Sequence, residues 1–224
     1  MPARKFIART TAAAAAAATA VVVLSAPAQA APASAAPRPA PVAPGASYSA
    51  PGGNAVFLGV DYDTWLRDVG AVVDQARPYL RQRITDSPAG EKPAIVLDID
   101  NSSLETDFHW FWTWPTPAIA QVRDLVQEAH ARGVAVFFVT ARPGVVYSPT
   151  LYNLKTVGYP VTGLYVRDLP DLFHEVSTYK TAKRAEIEAR GYTIVANIGN
   201  NDSDLVGGHA ERTFKLPDYG GKLS

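Results

Sequence analysis

The sequence predicts an α/β fold, a mainly parallel sheet with helices on both faces in three layers, and three observations predict it. Short apolar runs, among them Ala94–Leu97, Val134–Val139 and Thr193–Ile198, alternate with segments of helical periodicity. The first two of these runs are apolar throughout rather than at every second residue, the pattern of a strand covered on both faces. Each also ends in polar residues, which suits the rim of a parallel sheet, where ligands bind beyond the carboxyl ends of the strands.

Bulk composition sets bounds. Of 224 residues, 47% are hydrophobic and 19% charged, which suits one globular domain with a sizeable core. A formal net charge of zero gives no basic excess for nucleic acid or an acidic membrane surface. The absence of cysteine excludes a disulfide scaffold, a thiolate zinc site and a cysteine nucleophile.

At the N-terminus, Arg4, Lys5 and Arg9 precede an uncharged run from Thr10 through Leu24, and Ala28-Gln29-Ala30 supplies the small-residue pattern of a cleavage site. Residues 1–30 therefore read as a signal peptide, and the mature protein is expected to be secreted to the extracellular side. A retained anchor is the alternative. The strongly apolar stretch is shorter than the roughly 20 residues that span a bilayer, and Pro27 breaks it, so no stable membrane insertion is expected after cleavage. No Arg-Arg pair marks a twin-arginine route. Residues 31–53 are almost entirely Ala, Pro, Ser and Gly, which cannot bury enough apolar surface to fold and reads as a flexible linker. The domain is expected over 54–224.

Within it, Trp65, Val69, Val72, Val73, Ala76 and Leu80 fall on one helical face, which predicts a helix from Asp61 to about Arg83 that Pro78 kinks or ends early. A buried strand follows at Ala94–Leu97. Thr116-Pro117 is read as the cap and first turn of a helix closed by Gly133. Val134–Val139 is the next strand, and Ser148-Pro149 opens a helix that Gly158 ends. Gly163–Val166 is a weaker strand. Ser177 or Thr178 caps a helix stopped by Gly191, Thr193–Ile198 is a further strand, and Thr213–Leu216 could add an edge strand.

Four strand ends then converge on one rim. Asp98 and Asp100 flank Ile99, a spacing that sends both carboxylates to one side of a strand leaving the sheet. Two close carboxylates repel unless a cation neutralises them, and the pair offers a nucleophile and a proton shuttle. Read alone, the pair also fits a surface turn or a helix cap. Thr140 ends a strand where its hydroxyl could hold a phosphoryl oxygen, or simply finish a turn. Lys180 sits near the start of a helix, where a cation opposes the helix dipole unless an anion needs it; an ordinary solvated lysine is the alternative. Gly199-Asn200-Asn201-Asp202-Ser203-Asp204 offers oxygen ligands for a hard cation such as Mg²⁺, or a polar loop capping the next helix. Arg142 is a further candidate phosphate contact, equally well an exposed basic residue after a strand.

Together and in this order, Ile95–Ser102, Val136–Arg142, Tyr179-Lys180-Thr181 and Ile198–Leu205 resemble the four motifs of the haloacid dehalogenase (HAD) superfamily. The match is nearest to its acid-phosphatase branch, which includes bacterial secreted class B and C enzymes and plant vegetative storage proteins. The resemblance spans about Asp61 to the C-terminus and implies a Rossmann-like HAD fold. It also implies a phosphomonoester hydrolase in which Asp98 attacks phosphorus and Asp100 first protonates the leaving alcohol, then activates water. Thr140 and Lys180 would bind the non-bridging oxygens. Mg²⁺ would rest on Asp98, the backbone carbonyl of Asp100 and the fourth motif, through Asn200 and Asp204. The chain departs from the pattern at two places: Ser102 stands where the family usually has Thr, and Asn200 where it usually has an acidic metal ligand. The second departure leads us to expect weaker Mg²⁺ affinity.

No long insertion separates the motifs, so no large cap domain is expected. Phe108, His109, Trp110, Phe111, Trp112 and Trp114 follow the first motif. Most of these rings are expected to plug the space around Trp65, with one or two facing the site to stack the nucleoside or aryl leaving group of a nucleotide or aryl phosphate. Two other readings compete with the enzyme: a catalytically weakened binding or storage protein on the same fold, and a sugar-nucleotide transferase using Asp-x-Asp to hold a metal. The transferase lacks any candidate nucleotide-binding half.

Overall fold

A computed structural model of the protein describes residues 56–57, 59–110 and 112–223. The expected signal peptide, the linker, the domain start at Asn54 and Phe111 lie outside the described residues. A short antiparallel hairpin, β1 (Val56–Phe57) and β2 (Val60–Asp61), leads into helix α1 (Tyr62–Thr85). Then follow β3 (Pro93–Leu97), α2 (Ala120–His130), β4 (Ala135–Pro143), α3 (Tyr147–Thr156), β5 (Gly163–Arg167), α4 (Val176–Ala189), β6 (Thr193–Gly199), the short α5 (Asp202–Leu205) and β7 (Thr213–Lys215).

The sheet has the order β5-β4-β3-β6-β7, and every pair in it is parallel. From β3 the chain moves outward through β4 to β5. It then crosses back through α4 to lay β6 on the other side of β3. The two directions part between β3 and β6, and a parallel sheet opens a crevice at such a point beyond the carboxyl ends of its strands.

Burial follows strand alternation. Ile95 and Leu97 of β3, Val136 and Phe138 of β4, and Val195 and Ile198 of β6 join the larger core with Trp65, Val69 and Leu80 of α1, Val122 and Leu125 of α2, and Leu154 of α3. Ala94, Val96, Phe137 and Val139 pack on the opposite face with Tyr179 and Ile187 of α4. Each large side chain of this kind is worth about 1.5–3 kcal/mol on leaving water. The crevice is therefore carried on a rigid base with helices on both faces, as the sequence predicts.

Several element ends differ from expectation for identifiable reasons. Asp61 is the cap of α1, its carboxylate accepting from the Thr64 amide at 2.8 Å. The helix runs through Pro78 to Thr85 rather than ending early. Pro78 and Asp74 are both exposed, so the carbonyl that loses its donor lies on the wet side of the helix. Thr116-Pro117 does not start a helix. The Thr116 amide and carbonyl are both taken by the Asn153 side chain at 2.8 Å, and the Pro117 carbonyl accepts from the Glu105 amide. α2 begins only after this segment, at Ala120. Neither Ser177 nor Thr178 caps α4, which starts at Val176 after Glu175. Between β3 and α2 the described residues hold one short 3₁₀ turn, Thr106–Phe108, and no inserted domain.

Candidate active site

The first two acids stand where β3 leaves the sheet. The Asp98 amide makes a last sheet-like hydrogen bond to the Ile198 carbonyl at 3.0 Å. The chain then turns tightly: the amides of Ser102, Ser103 and Leu104 all point at the Ile99 carbonyl, and Asn101 takes a left-handed φ of 53°, a conformation that asparagine tolerates better than most residues. The Ser103 hydroxyl closes the turn on the Asp98 carbonyl at 2.6 Å.

Lys180, one turn into α4, bridges two of the predicted stations. Its ammonium donates to Asp98 Oδ1 and to Asp204 Oδ1, each at 2.5 Å, and all three side chains are buried. Burial pushes the Asp98 carboxyl up to about 6, with repulsion from Asp204 and Asp100 adding to it, against the pull of Lys180. Burial alone would lower the lysine, but the two carboxylates outweigh it and hold Lys180 above its usual range.

Asp100 is held differently. Arg142 grips it with two hydrogen bonds, Nε to Oδ2 at 3.0 Å and Nη2 to Oδ1 at 2.6 Å, and Thr106 donates to Oδ1 at 2.8 Å. Burial works upward on this carboxyl, yet Arg142 and Thr106 leave it below the usual carboxylate range. Arg142 also donates to the buried Thr150 hydroxyl at 3.2 Å. Thr140 is fully buried at the rim, its hydroxyl accepting from the Arg142 amide at 3.2 Å.

The fourth motif closes the far side. Asp204 is buried, and its Oδ2 accepts from the Asn201 amide at 2.8 Å in a capping box that starts α5. Asn200 is fully buried; its amide oxygen accepts from Ser102 Oγ at 2.9 Å and from Asn201 Nδ2 at 3.3 Å. Asp98, Asp100, Thr140, Arg142, Lys180, Asn200 and Asp204 thus all lie around the β3/β6 crevice, linked through Lys180, Arg142 and the turn at 99–104.

Three carboxylates, Asp98, Asp100 and Asp204, face two cations, Lys180 and Arg142. An all-oxygen donor set with surplus negative charge is the chemistry of a hard divalent cation. Among the described residues no group of three or more His, Cys, Asp or Glu is gathered to hold a metal. A cation here would therefore rest on the Asp98 and Asp204 carboxylates together with neutral oxygens.

Some contributors were not foreseen. Thr106 shares Asp100 with Arg142, and it stands out in the sequence as a polar residue just before the aromatic stretch. Arg184 is fully buried and donates to the Asp204 carbonyl at 2.7 Å, to the Gly208 carbonyl at 2.9 Å and to the Val206 carbonyl, bracing the fourth-motif loop. Its spacing of four from Lys180 places both on one face of α4, and this was the available signal. The aromatic expectation needs correction. Phe108 does plug the core, stacked on Trp65 at 4.3 Å, but Trp110, Trp112 and Trp114 are 68%, 62% and 52% exposed. Phe108 fills the space over Trp65 and Tyr62, so the tryptophans cover one another instead: Trp110 stacks on Trp112 at 5.0 Å, and Trp114 on Tyr152 of α3 at 6.2 Å.

The chain is similar to known proteins. The family model described as HAD superfamily, subfamily IIIB (acid phosphatase), matches residues 54–222. Acid phosphatase 1 of Solanum lycopersicum is 30% identical over 167 residues, which are 73% of this chain and 61% of that protein. A stem 28 kDa glycoprotein of Glycine max is 31% identical over 139 residues, 60% of this chain and 54% of its own length. Vegetative storage protein 1 of Arabidopsis thaliana is 29% identical over 48% of this chain and 42% of its own length. The chain spans about half the length of the curated relatives it matches. Among solved structures, the class C acid phosphatase from Bacillus anthracis with tungstate bound has the same fold. Its TM-score is 0.56 at 18% identity, over 70% of this chain and 79% of that one. Four motifs on one crevice and a family match across nearly the whole described region agree, and the chain belongs to the acid phosphatases of HAD subfamily IIIB.

Proposed function

We propose that the protein is an exported phosphomonoester hydrolase that works through an aspartyl-phosphate on Asp98, with Mg²⁺ as its cofactor. The observation that carries this reading is the buried bridge of Lys180 between Asp98 and Asp204, beside an Asp100 held by Arg142. On this reading Asp98 is the nucleophile, Lys180 the anion-stabilising cation and Asp100 a separate acid. Export rests on the positive start, apolar run and small-residue site over residues 1–30.

In the first step an Asp98 carboxylate oxygen forms a bond to phosphorus while the bond to the leaving oxygen breaks. Phosphate drawing Arg142 off Asp100 lets that carboxylate take up a proton from solvent and pass it to the leaving oxygen, so an alcohol departs. In the second step Asp100 takes a proton from water, the hydroxide attacks phosphorus, and the bond to Asp98 breaks to release inorganic phosphate. Lys180 and the Thr140 hydroxyl meet the non-bridging oxygens, and Arg142 is the third phosphate contact. Mg²⁺, held by the Asp98 and Asp204 carboxylates and the Asp100 carbonyl, would offset the repulsion between a carboxylate nucleophile and a phosphate dianion. The leaving groups that suit the exposed tryptophans are nucleosides and aryl alcohols.

The second reading, a weakened binding or storage protein, is favoured by Asn200, whose position brings no negative charge to the cation. Turnover of p-nitrophenyl phosphate with Mg²⁺ separates the two. The full enzyme reading expects hydrolysis that Asp98→Asn lowers by at least about a thousandfold. A rate that survives this change, or fluoroberyllate seated on another side chain, overturns it.

A further inference from the structure

The two departures from the family's motifs touch each other. Ser102, in the place of the usual threonine, and Asn200, in the place of the usual acid, exchange hydrogen bonds across the crevice floor. The Asn200 amide N–H donates to Ser102 Oγ at 2.9 Å, and Ser102 Oγ–H donates to Asn200 Oδ1 at 2.9 Å. On its other side Asn200 Nδ2 donates to the Leu223 carbonyl at 2.9 Å. Because Leu223 can offer only an acceptor here, the amide group must present its nitrogen there and its oxygen to Ser102. The backbone carbonyl of Asn200 accepts from Lys215 Nζ. Every polar group of the residue is engaged, and none of these partners is a carboxylate of the crevice.

Leu223 belongs to a segment that is itself well anchored. Leu216 and Leu223 are buried in the larger core, the Leu216 amide donates to the Gly199 carbonyl at 2.8 Å, and Tyr219 Oη donates to Asp68 of α1 at 2.5 Å. The segment 216–223 therefore straps the end of β6 to α1, and Asn200 is where the strap meets the nucleophile turn. An aspartate at position 200 would set a carboxylate against the Leu223 carbonyl, two buried acceptors with no proton between them. An amide is the side chain that fits.

We propose that Ser102, Asn200 and Leu223 form a joint that positions the fourth-motif loop, and that Asn200 is a positioning residue outside the cation's own ligands. The cation half of this inference rests on the phosphatase reading; the joint does not. It recasts position 200: the acid was exchanged for a fastening, which leaves Asp98 and Asp204 as the charged ligands.

The test uses the full chain and Mg²⁺ alone, with melting, calorimetry and hydrogen exchange as readouts. Asn200→Ala strands a buried carbonyl, so its melting temperature is expected to fall by about 3–10 °C without metal. Its Mg²⁺ dissociation constant is expected to stay within about threefold of the parent, while Asp204→Asn weakens Mg²⁺ by about tenfold or more. Ser102→Ala, a milder change, should speed amide exchange across 216–223 and leave Mg²⁺ binding alone. An Asn200→Ala protein that loses Mg²⁺ as Asp204→Asn does overturns the proposal, as does unchanged exchange in Ser102→Ala. Should Asn200→Ala not fold, Ser102→Ala supplies both readouts. A parent protein that takes up no Mg²⁺ counts against the phosphatase reading, while the exchange result still decides the joint.

Discussion

Arg142 has a partner that its position in a motif does not announce. Its place after the second strand suggests a hand for the substrate's phosphate, yet it holds Asp100 through both carboxylate oxygens. A fork of this kind is among the stronger pairings available to an arginine. Phosphate must therefore compete with Asp100 for the same guanidinium. Asp100→Asn should weaken the grip and free Arg142, tightening inorganic phosphate by about tenfold, roughly the worth of one charge-assisted hydrogen bond. Removing a negative charge near the site helps any anion, so the check is a double-mutant cycle with Arg142→Met, read by calorimetry at constant Mg²⁺. The gain should largely vanish without the arginine. A gain of equal size in both backgrounds would mean that the pairing places no restraint on phosphate. Asp98, Thr140, Lys180 and Asp204 were legible in the sequence because each follows or faces a strand end. The partner exchange at Arg142 was not, because sequence order carries no information about which of two anions a long side chain prefers.

The elements are fastened at their far ends as well as at the rim. Arg83, in the last turn of α1, pairs with Glu91 in the turn before β3 at 2.6 Å and with Glu211 before β7 at 2.7 Å. One side chain thereby ties the helix to the central strand and to one edge of the sheet. Hydrogen bonds from Arg83 hold Glu91 down to about 2, against a usual glutamate value of 4.5. A carboxyl depressed by folding adds stability that is fully present above 4.5 and drains away as pH falls toward 2. Glu91→Gln should lower the melting temperature near neutrality and flatten its decline between about pH 5 and pH 2.5. Parallel melts of the two proteins across that range test it, and declines of equal slope would remove Glu91 from the acid response. The strands of the sheet were legible from their apolar runs, but β4 continues past the apolar stretch through Thr140 and Arg142 to Pro143, where no run of apolar residues marks it. The start of α2 was not legible. Thr116-Pro117 is a good helix opening by local chemistry, but Asn153 and Glu105, distant in sequence, claim its backbone first. Pro78 misleads for the opposite reason: the lost hydrogen bond falls on the wet face, where water replaces it.

At the scale of the whole sheet, most of the large exposed apolar side chains among the described residues fall in the loops that follow β3, β4 and β5. Trp110, Trp112 and Trp114 leave β3, Val145 leaves β4, and Leu169 and Phe173 leave β5, all exposed beyond the carboxyl ends of the strands. Apolar surface placed there, with no inserted domain to cover it among the described residues, is suited to the part of a substrate that does not react. The tryptophans should act on the leaving group rather than on the phosphate. Each of Trp110→Ala, Trp112→Ala and Trp114→Ala should raise KM for p-nitrophenyl phosphate by about two- to tenfold, the range expected of a stacking contact. Turnover of a small alkyl phosphate such as glycerol phosphate should change little, and the melting temperatures should stay close to the parent because the rings are already exposed. Phe108→Ala is the contrasting case. Its half-buried ring stacks on Trp65 against the core, so the change should cost about 1–3 kcal/mol of stability. Steady-state kinetics on the two substrates, with melts of all four variants, decides the matter. Equal losses on aryl and alkyl phosphates would assign the tryptophans to the shape of the loop. A loss confined to the aryl ester makes this rim the surface that reads the leaving group in the proposed phosphatase.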